Sequence, residues 1–369
     1  MEVENRYSLI TKNLQEVLGK NELKNILENG TPKIYWGCAP TKRCHIGYIT
    51  QLLKIRDLVN AGCEVTILIA DIHAILDNLK STFDTVLHRT IYYEKILSAI
   101  LKKLGVDLSK IKFVKGSSFQ KSPEYTMDVY KFSSIVTIQN CQHAGAEVVK
   151  QTKSPLMTNL LYPILQALDI VYLEADGFIG GIDQRKINTF GLEYLPLIGY
   201  NKKYIYLMTP MISGLSSKKF ADNCTDKDSQ ENQTANNIKN KMSSSNDSSK
   251  IDLLASPQEI ENIISKTYCL DGDVQDNSIL KLIENLIFNI SNSFQTVKWD
   301  NSTKSFCDSK NYTNFEELYN DVLLGSKNNG IHPADLKKSL AMFLINFLES
   351  ARNEFDNDES RKLLSLAYN

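Results

Sequence analysis

The chain has 369 residues, with 42 Lys plus Arg against 43 Asp plus Glu. This length suits about two domains of roughly 100–200 residues each, and the near-neutral balance excludes a globally basic surface, so any nucleic-acid partner needs a local basic patch. The cysteines are odd in number and scattered with no CxxC pair, which argues against a zinc site, and no run reaches the roughly 20 apolar residues of a membrane span.

The N-terminus carries no basic patch followed by an apolar run, so the expectation is a cytoplasmic protein with no membrane partner. In chain order, residues 7–29 read as one amphipathic helix stopped at Gly30. Lys33-Ile34-Tyr35-Trp36 reads as a short strand, broken by Gly37-Cys38-Ala39-Pro40. His45 to Asn60 is helical in pattern and stops at Gly62. Glu64 to Ala70 is a nearly continuous β-branched run, as in a strand buried on both faces of a parallel sheet. Ile111 to Val114, Val171 to Ala175 and Tyr204 to Met208 add three more strands, with helical patterns between them. This alternation predicts a doubly wound α/β sheet, whose ligands bind beyond the carboxyl ends of the strands. Those ends put the loops after Trp36, Ala70 and Ala175 at the site. Residues 216–250 are rich in Ser, Asn, Asp and Lys, and read as a mobile loop too polar to offset its own ordering entropy. From Ile251 onward helical periodicity dominates and strand signals fade, which predicts a second, α-helical domain.

Four constellations could carry chemistry. Pro163 suits the first turn of a helix, and Tyr162, Gln166 and Asp169 then share one face at i, i+4 and i+7. That stripe is either the wet side of an apolar helix or the lining of a pocket that grips a small zwitterion or a hydroxyl. His45-Ile46-Gly47-Tyr48 follows a strand and opens a helix, where free N–H groups and the positive dipole end favour phosphate; a structural histidine is the plainer reading. Lys241-Met242-Ser243-Ser244-Ser245 could clamp a triphosphate, or could arise by chance in a Ser/Lys-rich segment. In Gly180-Gly181-Ile182-Asp183-Gln184 the glycines permit close approach and Asp183 could accept from ribose hydroxyls, although a turn with a capping Asp explains the same string.

Taken in this order, the four features resemble the class I aminoacyl-tRNA synthetases. His45-Ile46-Gly47-Tyr48 looks like the family's His-Ile-Gly-His signature, and Lys241 to Ser245 like its Lys-Met-Ser-Lys-Ser loop. The resemblance is closest to the tyrosyl synthetases of the eukaryotic cytosolic type, and it spans nearly the whole chain. It includes Tyr35-Trp36-Gly37, the run from Ala61 to Leu68, the run from Ala144 to Gln151, Gly180 to Lys186, Ser249 to Leu254 and His332 to Lys337.

The resemblance implies a Rossmann-like doubly wound catalytic domain over residues 1–246, containing an insert at 216–240, and an α-helical anticodon-binding domain over 247–369. Tyr35 and Asp169 would bond a substrate phenol. Tyr162, Gln166 and Gln184 would hold its ammonium and carboxylate. Gly37, His45, Gly47, Gly180, Gly181 and Asp183 would bind ATP, with Asp183 on the ribose, and Lys241, Ser243 and Ser244 would sit on the phosphates. ATP would enter as a substrate with Mg²⁺, with no tightly bound cofactor and no protein metal site. The implied partners are tyrosine, ATP and tRNA(Tyr), in a homodimer whose interface and acceptor-stem contacts fall around 118–150. Trp299 would lie in the anticodon-contacting part. Tyr48 and Ser244 replace a signature histidine and lysine, as they do elsewhere in the eukaryotic branch. Phe178 stands where the family usually has Gln, which removes one polar contact near the amino-acid site. The segment before Lys241 is longer than is usual in the family.

Three other readings are distinguishable. A tryptophanyl synthetase should lack the pairing of Tyr35 with Asp169, a small nucleotidylyltransferase would lack the helical C-terminal domain, and an inactive RNA-binding paralogue would have lost Lys241 or the pocket polar residues.

Overall fold

A computed structural model describes residues 2–77, 81–149, 156–211, 214–215, 250–275 and 277–368. The chain divides into two compact units. The first comprises Met1–Arg43, Lys54–Pro210 and Asn357–Asn369, and the second Cys44–Leu53 and Met211–Asp356. The anticipated boundary at 246/247 and the insert 216–240 lie outside the described residues.

The first unit is built on a six-stranded sheet. Its strands are β1 (Glu16–Leu18), β2 (Lys33–Cys38), β3 (Glu64–Ile69), β4 (Ile111–Lys115), β5 (Gly177–Gly181) and β6 (Ile205–Thr209). They lie in the order β1-β6-β5-β2-β3-β4. All neighbours are parallel except β1, which runs antiparallel to β6. The chain winds outward from β2 to β4 and then returns to lay β5 on the other side of β2. The fold is therefore doubly wound, as expected, with its topological switch between β2 and β5. Register aligns Tyr35 with Phe178 and Phe178 with Tyr206, which puts three aromatic residues in a row on one face. The helices of this unit include α1 (Val3–Thr11), α2 (Lys20–Asn29), α3 (Tyr48–Asn60, begun in the other unit), α4 (Asp71–Leu76), α5 (Phe83–Lys103), α6 (Pro123–Ile135), α7 (Ile138–Gly145), α8 (Met157–Tyr172) and α9 (Arg185–Tyr194). Residues of α6, α8 and α9 close the core over the aromatic row.

Three local expectations are corrected here. Residues 7–29 form two helices with β1 between them, because Asn13 and Gly19 take positive φ (59° and 79°) that a helix cannot pass through. The strand expected at 171–175 is instead the end of α8 followed by a turn through Glu174 at φ 51°. The true strand is the glycine-rich β5, which the reading passed over for want of apolar side chains. At Gly177 an added Cβ would lie 2.8 Å from the Ile205 carbonyl and 3.0 Å from Ile34 Cδ1, so tight packing between β2 and β6 demands glycine. Pro163 is inside α8, not in its first turn, because the helix already begins at Met157.

The second unit contains α10 (Pro257–Lys266), α11 (Ser278–Leu282), α12 (Phe315–Leu324) and α13 (Pro333–Phe355). A π-helical turn at Ile283–Ile287 extends α11. Ser256 and Glu259 form a capping box at the start of α10. The unit is not wholly helical. An antiparallel hairpin, β7 (Phe294–Asp300) and β8 (Ser305–Tyr312), packs on α13. Asp335 Oδ1 accepts from the Trp299 N–H at 3.1 Å and Ser339 Oγ from the Val297 N–H at 2.9 Å. Seven of the eight residues in β8 are exposed, so no apolar alternation marks it in the sequence. Beyond the second unit the chain re-enters the first, where α14 (Asp358–Tyr368) packs on α5.

Candidate active site

Asp169 on α8 is only 1% exposed, so the stripe of Tyr162, Gln166 and Asp169 is not a solvated face. One carboxylate oxygen, Oδ1, accepts from Gln120 Nε2 at 2.7 Å and from the Tyr125 hydroxyl at 2.9 Å. The Tyr125 hydroxyl is also 2.9 Å from the Leu165 carbonyl, and shares its hydrogen between the two. The other oxygen, Oδ2, makes no hydrogen bond among the described residues, and His73 Nε2 stands 3.8 Å from it. Burial pushes the Asp169 carboxyl up to about 7, against the pull of Gln120 and Tyr125. Burial likewise pushes His73 down to about 4. The imidazole is therefore neutral at neutral pH, and its approach to Asp169 is not an ion pair.

Tyr35 on β2 is buried, and its hydroxyl has no hydrogen-bond partner among the described residues. Burial, Asp169 and Tyr206 all hold it as the neutral phenol. Its ring lies 5.1 Å from that of Phe178, and Phe178 lies 6.5 Å from Tyr206. An acceptor and a hydroxyl on buried side chains, each without a hydrogen-bond partner among the described residues, can together recognise one ligand hydroxyl.

Further along the stripe, Gln166 Nε2 donates to Gln184 Oε1 at 2.8 Å. Gln184 comes from the turn Ile182–Gln184 that follows β5, where Asp183 is also buried. Tyr162 stays a neutral phenol through burial and the nearby Asp77, Asp169 and Asp183. The glycine pair ends β5 and does not follow it. A Cβ at Gly180 would lie 2.5 Å from the Phe178 ring, and one at Gly181 would collide with the Asp183 carboxylate. At Gly37 a Cβ would meet only ordinary contacts, 3.7 Å from Leu68 and Tyr35, so the fold itself sets no demand for glycine there.

Four side chains around Asp169 escaped the sequence reading. Asp71 and His73 open α4 directly after β3, and Gln120 and Tyr125 follow β4. The signal was available, since all four lie beyond the carboxyl ends of strands in a doubly wound sheet. Asp71 Oδ1 accepts from the Ser117 N–H at 2.7 Å, joining the two loops. At Gly116 a Cβ would lie 2.6 Å from Gln120 Oε1, so that glycine lets Gln120 reach Asp169.

In the second unit, His45 is buried and its Nδ1 accepts from the Gly47 N–H at 3.2 Å. That bond puts the ring hydrogen on Nε2. The His45 ring meets Tyr48 edge-on at 5.2 Å. Helix α3 starts only at Tyr48, because residues 44–46 are held in an extended bridge with 251–253. The Ile46 N–H donates to the Ile251 carbonyl at 2.9 Å, and the Leu253 N–H to the Cys44 carbonyl at 3.0 Å. Lys241, Ser243 and Ser244 lie outside the described residues.

The family model for class I tRNA synthetases (W and Y) matches residues 27–225. The cytoplasmic tyrosine–tRNA ligase of Xenopus tropicalis is 42% identical over 99% of this chain, and the chain spans 63% of that relative's length. The probable cytoplasmic tyrosine–tRNA ligase of Encephalitozoon cuniculi is 42% identical, with 97% of each chain covered. Among solved structures, the tyrosyl-tRNA synthetase of Archaeoglobus fulgidus, complexed with L-tyrosine, is 34% identical with a TM-score of 0.78, covering 96% of this chain and 99% of that one. The chain belongs to the class I tRNA synthetases of the W and Y family. Within that family, the relatives it matches over nearly their whole length include the Encephalitozoon cuniculi and Archaeoglobus fulgidus proteins described above.

Proposed function

We propose that the chain is a tyrosine–tRNA ligase, which activates L-tyrosine with ATP to tyrosyl-adenylate and pyrophosphate and then transfers the tyrosyl group to the 3′-terminal adenosine of tRNA(Tyr). The observation that carries this reading is that the buried Tyr35 and Asp169 face each other electrostatically while the Tyr35 hydroxyl and Asp169 Oδ2 make no hydrogen bond among the described residues. A substrate phenol satisfies both, and a phenyl or indole leaves them unpaired, which is costly in a buried site.

No protein nucleophile is needed. The tyrosine carboxylate attacks the α-phosphorus of ATP in line, the bond to pyrophosphate breaks, and a ribose hydroxyl of the tRNA later attacks the activated carbonyl. The protein's work is alignment and stabilisation of phosphate charge. Tyr162, Gln166 and Gln184 hold the ammonium and carboxylate. His45 and Gly47 meet the nucleotide, with Asp183 on its ribose and Gly37, Gly180 and Gly181 allowing close approach. Lys241, Ser243 and Ser244 act on the departing phosphates. Mg²⁺ entering with ATP would offset charge on the phosphate oxygens.

The helical unit is the proposed anticodon-binding part, with Trp299 44% exposed beside Phe306. A homodimer is supported by Met127, Tyr130 and Ile138, all more than half exposed within 118–150. The proposed location is the cytoplasm, as in the relatives' names; no described helix is long and apolar enough to cross a membrane. The test is ATP–pyrophosphate exchange with tyrosine, tryptophan and phenylalanine in turn. Exchange driven by tyrosine alone is expected, and equal exchange with tryptophan would overturn the tyrosyl assignment.

A further inference from the structure

We propose that Arg89 and Tyr93 of α5 are positioning residues for the nucleotide-binding turn at His45, and that the C-terminal helix α14 locks Arg89 into that role. The inference rests on the reading of this turn as the ATP site.

The two residues are one helical turn apart and so share a face of α5. Arg89 Nη1 donates to the Thr41 carbonyl at 2.6 Å, and the Tyr93 hydroxyl donates to the Lys42 carbonyl at 2.6 Å. Two successive carbonyls are thereby turned toward α5, directly upstream of His45 in the chain. The Thr41 N–H is occupied too, donating to the Ala39 carbonyl at 2.8 Å. The connection from β2 to the His45 turn is thus held by side chains, where a strand-to-helix loop would otherwise have freedom to shift.

Arg89 is itself held from the other side. Its Nε donates to the Ala367 carbonyl at 2.7 Å, and its guanidinium lies 5.0 Å from the centre of the Tyr368 ring. Ala367 is in the last turn of α14, where helix carbonyls lack intrahelical donors and the dipole favours a cation. A second tie docks the start of the helix, since Lys95 Nζ donates to Ser360 Oγ at 2.7 Å. The planar guanidinium fork fixes both acceptors at once, which a lysine could not reproduce. Residues at the far end of the chain therefore set the aim of a side chain that holds the loop leading to His45. The pocket around Asp169 is built from other elements and does not use Arg89.

The experiment measures dissociation constants for ATP and for tyrosine separately by equilibrium dialysis, alongside ATP–pyrophosphate exchange, in four proteins: the parent, Arg89→Ala, Tyr93→Phe and a chain ending at Asp356. Arg89→Ala should weaken ATP binding by about tenfold or more while tyrosine binding stays within about twofold, the scale expected when a site is displaced without being dismantled. The shortened chain should match it. Tyr93→Phe, which keeps the ring and removes only the hydroxyl, should move ATP binding in the same selective direction by about threefold. Parental ATP binding in Arg89→Ala overturns the proposal. Equal loss of tyrosine and ATP binding also overturns it, because the residue is then merely structural. If Arg89→Ala fails to fold, Tyr93→Phe decides, and unchanged ATP binding there counts against the idea. A parent that binds both ligands but exchanges nothing would instead sink the assignment of activity.

Discussion

The pocket around Asp169 and the turn at His45 are built in opposite ways. The pocket is made by side chains: one carboxylate on α8 is held by Gln120 and Tyr125, whose chain positions are more than 40 residues away. The turn is made by backbone: residues 44–46 are pinned through main-chain hydrogen bonds to 251–253. A side-chain pocket can distinguish one hydroxyl from its absence, because each donor and acceptor is placed individually and its loss leaves a partner stranded. In the turn the peptide N–H groups of Ile46, Gly47 and Tyr48 are already bonded within the protein, so its shape is set by the main chain rather than by individually placed side chains. On the proposed roles, discrimination of the amino acid and binding of the nucleotide would therefore depend on the sequence in different ways.

Substitutions can break this contrast, and the largest effect should come from the phosphate side. Lys241→Ala should slow adenylate formation by about 10²–10³-fold while leaving tyrosine binding without ATP unchanged, since its charge acts on the phosphates as they depart. Single-turnover pyrophosphate release reads this directly, and a parental rate would make the Lys241 to Ser245 string an accident of composition.

Asp169→Ala should lower kcat/KM for tyrosine by about a hundredfold and that for phenylalanine by much less, because the bond lost is to the phenol. Equal losses for the two amino acids in the exchange assay would assign Asp169 to structure or to the ammonium group.

The Asp169 carboxyl also predicts a pH dependence. With its folded value raised to about 7, the free pocket holds a partly protonated acid near neutrality. A phenol donating to the carboxylate favours the ionised form, so tyrosine should bind more weakly below pH 7, by up to about tenfold per pH unit. Asp169→Asn should flatten that profile. The linkage to stability runs the same way. A raised carboxyl contributes stability that is full below its unfolded value near about 4 and is lost as pH rises through the folded value. Thermal melting of Asp169→Asn should therefore improve relative to the parent as pH rises from 4 to 8, and a constant difference in Tm would show that Asp169 does not titrate there.

The smallest effect tests the backbone side. Asp252 Oδ1 accepts from the Leu254 N–H at 2.7 Å, shaping the segment paired with Cys44 to Ile46. Asp252→Ala should raise the KM for ATP by about two- to fivefold in the exchange assay and leave that for tyrosine alone. A larger change in the tyrosine KM would mean that the two regions are less separate than their construction implies.

The sequence carried most strands of the sheet well, and the reasons for its failures are specific. The runs at β2, β3, β4 and β6 are apolar enough to be read as strands, and the stripe on α8 was visible from its spacing. β5 was misplaced because Gly-Phe-Ile-Gly-Gly is chosen for close approach to Ile205 and Ile34, a tertiary demand with no local signature. β8 was missed because its outward residues are polar along nearly its whole length. Gln120 and Tyr125 were overlooked because a glutamine in a connecting segment and a tyrosine in the first turn of α6 look ordinary until the fold brings them to Asp169. The choice between a wet stripe and a pocket could not be made from the octet around Pro163, since burial depends on what packs opposite.

The bridge between residues 44–46 and 251–253 also bears on how the molecule is made. At about 5–20 residues per second of synthesis, the partner of the turn emerges some tens of seconds after the turn itself. β1 must likewise wait for β6, and α5 waits for α14. A nascent chain can therefore begin to assemble β2, β3 and β4 early, while the bridge that fixes the His45 turn is available only after translation has passed residue 253.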